Sequence, residues 1–270
     1  MSEITAVVIA YNEADLLGHT LPSIRAISDY IIVVDMGSTD ESPAFYAKFL
    51  NAQDLVLLYP RDNLSMFGFA HPRNYGAKHA KTEWILAVDC DEYIDVSEFN
   101  AAKRILSSTK ADVFNFTRFN YSVTPATSLA DIDALTKLAP HTDEFHRRLY
   151  RNRPRIRWEG VIHEELWIDN INAYYNCELF PVPLHHLNQY RRTGSPHLKF
   201  GLYSYLTLKA IEYPGLRYGT NAFWFEEFPK KNLPAMIAAA KDFATENGLE
   251  LIAEQNVLSQ LALEGIVVEQ

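Results

Sequence analysis

Residues 84–95 read WILAVDCDEYID: five apolar residues, then Asp89, Asp91, Glu92 and Asp95, four carboxylates within seven positions. A short apolar run bounded by polar residues has the length of a buried β-strand. Carboxylates crowded at its end repel one another unless water screens them or a cation gathers them. Two readings stay open on these residues. Asp89-Cys90-Asp91 offers hard oxygen ligands suited to Mg2+ or Mn2+, and Mg2+ takes one or two carboxylates and leaves the rest of its shell to water and phosphates. The same run also serves as a solvated acidic turn that caps the helix after it.

Three similar runs come before it: TAVVIAY (5–11), YIIVVD (30–35) and DLVLLY (54–59), with helical patterns over 14–27, 41–50 and 70–81. Short Val- and Ile-rich runs spaced by single helices predict parallel strands buried on both faces, a βαβ sheet. Three of the run ends are polar: Tyr11-Asn12-Glu13, Asp35 with GSTDES (37–42), and Asp89-Cys90-Asp91. Ligands of open α/β sheets bind outside the carboxyl ends of the strands, so these ends are expected to converge on one crevice. Ser38, Thr39 and Asp40 are N-cap candidates for the following helix. Asp35 at its strand tip suits a hydrogen bond from a nucleobase N–H or a ribose hydroxyl, and equally a turn-capping role.

At 270 residues, 48% hydrophobic and 22% charged, the chain has room for one large α/β domain or such a domain with a helical appendage, and the composition argues against disorder. The net charge of -9 argues against a polyanion as the main partner, although local clusters override such a sum. Cys90 and Cys177 form neither a disulfide framework nor a CxxC pair, which fits a reducing cytoplasm. Glu3 precedes the first apolar run, so no secretory signal is expected, and no segment approaches the roughly 18 apolar residues of a membrane span.

After about residue 110 the pattern changes. DVFNFTRFNYSV (112–123) alternates like a half-exposed strand, residues 124–143 are loop-like with Pro125 and Pro140, and FHRRLYRNRPRIRWEGVIHEELWI (145–168) reads as strands around a turn. From Pro196 the pattern is helical, clearest in HLKFGLYSYLTLKAIEY (197–213) and in LPAMIAAAKDFATENG (233–248), which Gly248 stops.

AVVIAYNEADLL (6–17), VVDMGSTDES (33–42), HPRNYGAKHAKTEWILAVDCDEYI (71–94) and RLYRNRPRIRWEGVIHEEL (148–166), in this order, resemble the family 2 glycosyltransferases with the GT-A fold. The likeness is to the branch with VDxGSTD in its second motif, DxDE, and G-x-I-H-E in the later one. It spans residues 5 to about 190, and several spaced motifs in order are more specific than any one of them. Met36 is the one departure, since many family members carry a second aspartate there.

The resemblance implies a GT-A-like, Rossmann-type mixed sheet flanked by helices, with a helical C-terminal part. It implies a sugar-nucleotide-binding half over 1–110, an acceptor and catalytic half of the same domain over 111–190, and helices over 191–270. The activity implied is metal-dependent inverting transfer of a hexose from a nucleotide-sugar, UDP-glucose or similar, to an acceptor hydroxyl. Ala10, Tyr11, Asn12 and Glu13, with Asp35, Gly37 and Ser38, would contact the nucleobase and ribose. Arg73 and Asn74 match the family's R-N before a helix, where a guanidinium pairs with phosphate or holds the metal carboxylates. Asp89 and Cys90 would lie beside the donor and Asp91 on the Mn2+ or Mg2+ ion, joined by His185 or its neighbour His186, residues that also suit structural hydrogen bonds. His163 and Glu164 match the family's H-E, and an inverting enzyme needs a carboxylate to take the acceptor's proton. Glu164 is the first choice and Glu165 the second. If GVIHEEL is a strand, the two face opposite ways. A structural salt bridge near the arginines is the other role open to Glu164.

RRLYRNRPRIR (147–157) holds six arginines, and alternation on a strand would put several of them on one exposed face. That face is either a solvated surface or a groove, Arg151 included, for an anionic acceptor such as an acidic glycan, a lipid headgroup or nucleic acid carrying a hydroxylated base. Two rival enzymes lack their loops: YNEADLL has no glycine until Gly18, against both a nucleotidyltransferase and a dinucleotide dehydrogenase. A sugar-nucleotide-binding protein without turnover stays open.

Overall fold

The computed structural model describes residues 2–121, 141–187 and 196–268. Of the loop-like stretch 124–143, residues 124–140 lie outside the described residues and 141–143 already belong to a strand. The chain divides into two compact units, each discontinuous in sequence. The first comprises Met1–Pro60, Pro72–Arg157 and Leu166–Arg192; the second comprises Arg61–His71, Trp158–Glu165 and Thr193–Gln270.

The first unit is built on a mixed sheet. Strands β1 (Ile4–Ala10), β2 (Tyr30–Asp35), β3 (Leu55–Leu58) and β4 (Trp84–Asp89) pair in parallel in the order β3-β2-β1-β4. Beyond β4 the sheet turns antiparallel: β7 (His141–Arg151) pairs with β4, and β6 (Val113–Asn120) pairs with β7. β12 (Leu184–His186) lies parallel to β6, and β5 (Glu92–Tyr93) closes the order antiparallel to β12. A second, three-stranded sheet is formed by β8 (Ile156–Glu159), β9 (Glu165–Ile168) and β10 (Ile171–Asn172), and β11 (Glu178–Leu179) pairs with β6. The expected mixed α/β architecture is thus present.

β1, β2 and β4 are buried because each has neighbours on both sides and apolar side chains on both faces. β3 departs from the expectation of burial. It is the sheet edge, and Leu55, Val56 and Leu58 are exposed. Helix α1 (Ala14–Ile27) packs with Leu17, Leu21 and Ile24 in one core with Val8, Val33 and Leu86, a helical spacing of three and four residues. Helix α2 (Ser42–Phe49) follows β2. Helix α3 (Arg61–Phe67) lies in the second unit. Helix α4 (Ala70–Ala77) lies close to the sheet at Gly76, where a Cβ would stand 2.5 Å from Val7 Cγ1 and 2.8 Å from Val34 Cγ2. Helix α5 (Val96–Ala102) follows β5.

The second unit is mainly helical, with α6 (Pro196–Glu212), α7 (Glu227–Glu246) and α8 (Glu254–Leu263). Leu206, Ile211, Leu233, Met236, Phe243, Val257 and Leu261 form its core. α7 begins six residues before the expected LPAMIAAA start, because Pro229 lies in its first turn and Pro234 is accommodated inside it. It ends as expected at Gly248, whose φ of 62° suits glycine. Among the described residues no helix is long and apolar enough to cross a membrane.

Candidate active site

The carboxyl ends of β1 and β2 are latched to each other. Asn12 takes a left-handed φ of 54°, and its Oδ1 accepts hydrogen bonds from the Thr39 N–H at 2.7 Å and the Asp40 N–H at 3.3 Å. In return Ser38 Oγ accepts from the Asn12 N–H, Ser42 Oγ from the Glu13 N–H, and Asp40 Oδ2 from the Ala14 N–H. Asp40 and Ser42 therefore satisfy the start of α1, the helix before them. Of the candidates for the helix after them, Asp40 reaches it, its Oδ1 accepting the N–H of Ser42, the first residue of α2, at 2.9 Å, while Ser38 turns to Asn12 and the N-cap residue Glu41 makes no side-chain cap. Buried Asp35 accepts the Gly37 and Ser38 N–H groups, both on Oδ1, at 2.9 and 2.7 Å. Gly37 permits that turn with a φ of 88°. Ala10 is buried at the end of β1, opposite Asp35.

The acidic run splits into four tasks. Asp89 Oδ1 accepts from Arg73 Nη2 and Oδ2 from Arg148 Nη2, each at 2.7 Å. Burial alone would raise its pKa, but the two guanidiniums overrule burial and hold the carboxyl well below its usual range. Glu92 is fully buried, accepts from the Asp89 N–H at 2.9 Å and pairs with Arg148. Its pKa is pushed up by burial, against the pull of Arg148. Asp95 caps α5 by accepting the Glu98 N–H at 2.8 Å. Asp91 faces His186. Arg73 and Asn74 lie inside α4 rather than ahead of it, and Arg73 is buried. Cys90 is buried with its thiol on the Ile9 carbonyl.

β12 sends its two histidines to different partners. His185 Nδ1 is 2.7 Å from the Tyr121 hydroxyl, and burial lowers its pKa to about 4. His186 Nδ1 donates to Asn120 Oδ1 at 2.6 Å, and its Nε2 stands 3.4 Å from Asp91 Oδ2. The Leu187 N–H, donating to the Asp91 carbonyl at 2.9 Å, fixes this approach. An amide oxygen only accepts, so Nδ1 carries a proton and Nε2 is the atom turned to the carboxylate. A carboxylate and an imidazole nitrogen facing each other in this way can hold a proton as an ion pair or a divalent cation as ligands. Among the described residues no group of three His, Cys, Asp or Glu side chains gathers around one point. The donor set of one carboxylate and one imidazole, the imidazole oriented by the Asn120 amide, still fits an ion whose remaining ligands come from phosphate and water.

Other expected residues lie elsewhere. Arg151 pairs with Trp84 in the β4–β7 register, at the end of β4 opposite to Asp89. It pairs with Glu83, donates to the Thr109 and Ala111 carbonyls, and covers the Trp84 ring at 4.5 Å. Arg153 and Arg155 both pair with Asp112. Arg153 and Arg155 are exposed, whereas Arg148 of the same run is buried. His163, Glu164 and Glu165 belong to the second unit. GVIHEEL is not one strand: Gly160 and His163 have φ values of 110° and 46°, and β9 begins only at Glu165. Strand alternation therefore says nothing about which way Glu164 faces. Arg148, Glu92 and Asn120 were not foreseen as site residues: strand register brings Arg148 to Asp89 and Asn120 to His186, while Glu92 reaches the Asp89 N–H from within the acidic run itself.

Comparison with known proteins places these residues in a family. The family model described as Glycosyl transferase family 2 matches residues 5–160, more than half of the chain. A TPR repeat-containing protein of Synechococcus elongatus is 29% identical over 164 residues, covering 61% of this chain and 35% of its own. The SPbeta prophage-derived glycosyltransferase SunS of Bacillus subtilis is 24% identical over 183 residues, covering 64% of this chain and 39% of its own. This chain thus spans little more than a third of these curated relatives. Among solved structures, residues 1–349 of S. aureus TarS in complex with UDP-GlcNAc align at 18% identity over 94% of this chain and 82% of that one, with a TM-score of 0.47. The match over residues 5–160, which holds the latched strand ends, the Asp89–Asp91 run and the arginines that meet it, bears out the resemblance: the chain belongs to glycosyl transferase family 2.

Proposed function

We propose that this chain transfers a sugar, with inversion, from a nucleotide-sugar of the UDP-sugar class to an acceptor hydroxyl. The observation that carries this reading is the pair Asp91 Oδ2 and His186 Nε2, 3.4 Å apart, beside an Asp89 held by two arginines at the carboxyl edge of a family 2 sheet. With Mg2+ or Mn2+ held by Asp91 and His186, the site would supply charge neutralisation at the leaving diphosphate. Every other part falls to the chain itself. Asp35, oriented by its turn, accepts from the base or ribose, while Tyr11, Asn12 and Glu13 line the latched loop beside it. Arg73 and Arg148 keep Asp89 ionised and in place. The acceptor oxygen forms its bond to the anomeric carbon as the bond to the diphosphate oxygen breaks, and Glu164 takes the acceptor's proton.

Calorimetry of UDP with Mn2+, with EDTA, and with Asp91→Asn tests the metal assignment. Loss of affinity of at least tenfold in both cases is expected, and unchanged affinity overturns it. A screen of UDP-sugars for hydrolysis separates an enzyme from a binding protein without turnover. In the same assay Glu164→Gln should keep UDP binding and lose roughly 10²–10⁴ in rate, with Glu165→Gln as control.

A further inference from the structure

The second unit holds a cavity of about 350 Å3, the low end of the range for ligand pockets. Helix α6 supplies one wall: Lys199, Tyr203 and Thr207 recur every four residues, with Phe200 and Ser204 beside them, so they share a face. Trp224 and Phe228 supply the opposite side, and the His163 ring stacks on Trp224 at 3.8 Å between centroids and 10° between planes. His163 holds its place with a left-handed φ of 46°, a conformation that a non-glycine residue keeps only where its surroundings enforce it. The walls are aromatic and apolar, with one charged side chain, the exposed Lys199. Ser204 is buried, and its hydroxyl has no hydrogen-bond partner among the described residues.

We infer that this cavity binds the apolar body of an amphiphilic ligand whose anionic end meets Lys199. A free sugar ring would bring hydroxyls into a wall that offers few partners, and each unpaired hydroxyl costs free energy. An alkyl chain or an aromatic ring loses nothing there and buries its surface against the rings. The lone ammonium complements one anion and, at the rim, leaves that anion partly hydrated. Resting on the proposed transfer, and on His163 preceding the candidate base Glu164, the inference makes the acceptor an anionic amphiphile and not a free glycan.

Octyl phosphate, phenyl phosphate, octyl glucoside and inorganic phosphate are titrated into the chain, followed by calorimetry and tryptophan fluorescence. Octyl or phenyl phosphate should bind with a negative heat-capacity change, inorganic phosphate should not, and the preference between the first two tells chain from ring. Ser204→Leu, which fills the cavity, should weaken octyl phosphate at least tenfold. Lys199→Glu, an exposed change that keeps the fold, should weaken octyl phosphate at least tenfold and leave octyl glucoside within twofold. Trp224→Phe should remove the fluorescence change while calorimetric binding persists. Absence of binding by both alkyl probes, or binding indifferent to Lys199→Glu, overturns the inference. Absence of UDP-sugar turnover with octyl phosphate binding intact would defeat the proposed transfer and leave the cavity's ligand class standing.

Discussion

The chain carries two runs of like charge, Asp89–Asp95 and Arg147–Arg157, and the fold treats them oppositely. The acidic run sits where a parallel strand ends, and its members diverge to Arg73, Arg148, His186 and the start of α5. The basic run starts on the antiparallel strand β7 and passes through a turn into β8, and four of its members are met by carboxylates of the chain: Arg148 by Asp89 and Glu92, Arg151 by Glu83, and Arg153 and Arg155 by Asp112. A cluster of like charge in sequence is therefore not a charged surface. The register Trp84↔Arg151 and Leu86↔Leu149 brings Arg148 toward the acidic end and puts Arg151 about 16 Å away along β4, at ~3.3 Å per residue.

The comparison breaks first at Arg148. Arg148→Met should cost about 3–5 kcal/mol, because it leaves fully buried Glu92 without its cation and takes from Asp89 one of its two guanidiniums. Urea unfolding measures this, and a loss under 1 kcal/mol would mean that the two runs are energetically independent.

A pH series sharpens the contrast between the two histidines of β12. His185 titrates near pH 4 in the fold and near 6.5 when unfolded, so the unfolded chain takes up the proton first. The stability this contributes is complete above pH ~6.5 and is lost as the pH falls toward 4, by at most about 3 kcal/mol. His185→Gln should flatten that part of the stability curve. An unchanged slope between pH 6.5 and 4.5 would refute the assignment.

Asp95→Ala should cost about 1 kcal/mol by removing the cap of α5, with UDP affinity unchanged. A fall in UDP affinity would return Asp95 to the ligand-binding part of the run. The smallest effect is expected at half-exposed Arg153, where Arg153→Ala should cost about 0.2–1 kcal/mol and lose its effect in high salt. A salt-insensitive loss of several kcal/mol would show that the basic run is structural along its whole length.

Much of the fold was legible because period and punctuation are local. TAVVIAY, YIIVVD and WILAVD are strands within a residue of where their apolar runs fall, and the two C-terminal amphipathic stretches are helices. β3 was misjudged because burial depends on having two neighbours, and DLVLLY cannot say that it will be an edge. The capping was only half legible for a related reason: Asp40 serves α2 through the Ser42 N–H as its place in sequence suggests, but its other oxygen serves the start of α1, which only the fold brings beside it.

By itself the sequence determined the family, the alternation of strands and helices, and the placing of Tyr11–Glu13, Asp35 and Asp89–Asp91 at strand ends, since each depends on residues close together in the chain. The tertiary structure alone decided that Arg148 and not Arg151 meets the acidic run, that His186 and not His185 stands by Asp91, and that an aromatic cavity forms between α6 and the residues preceding and opening α7. These depend on strand register and helix packing. Side-chain direction alternates at every step of a strand, so a one-residue difference in pairing sends a charge to the opposite face, and no local pattern records which pairing wins.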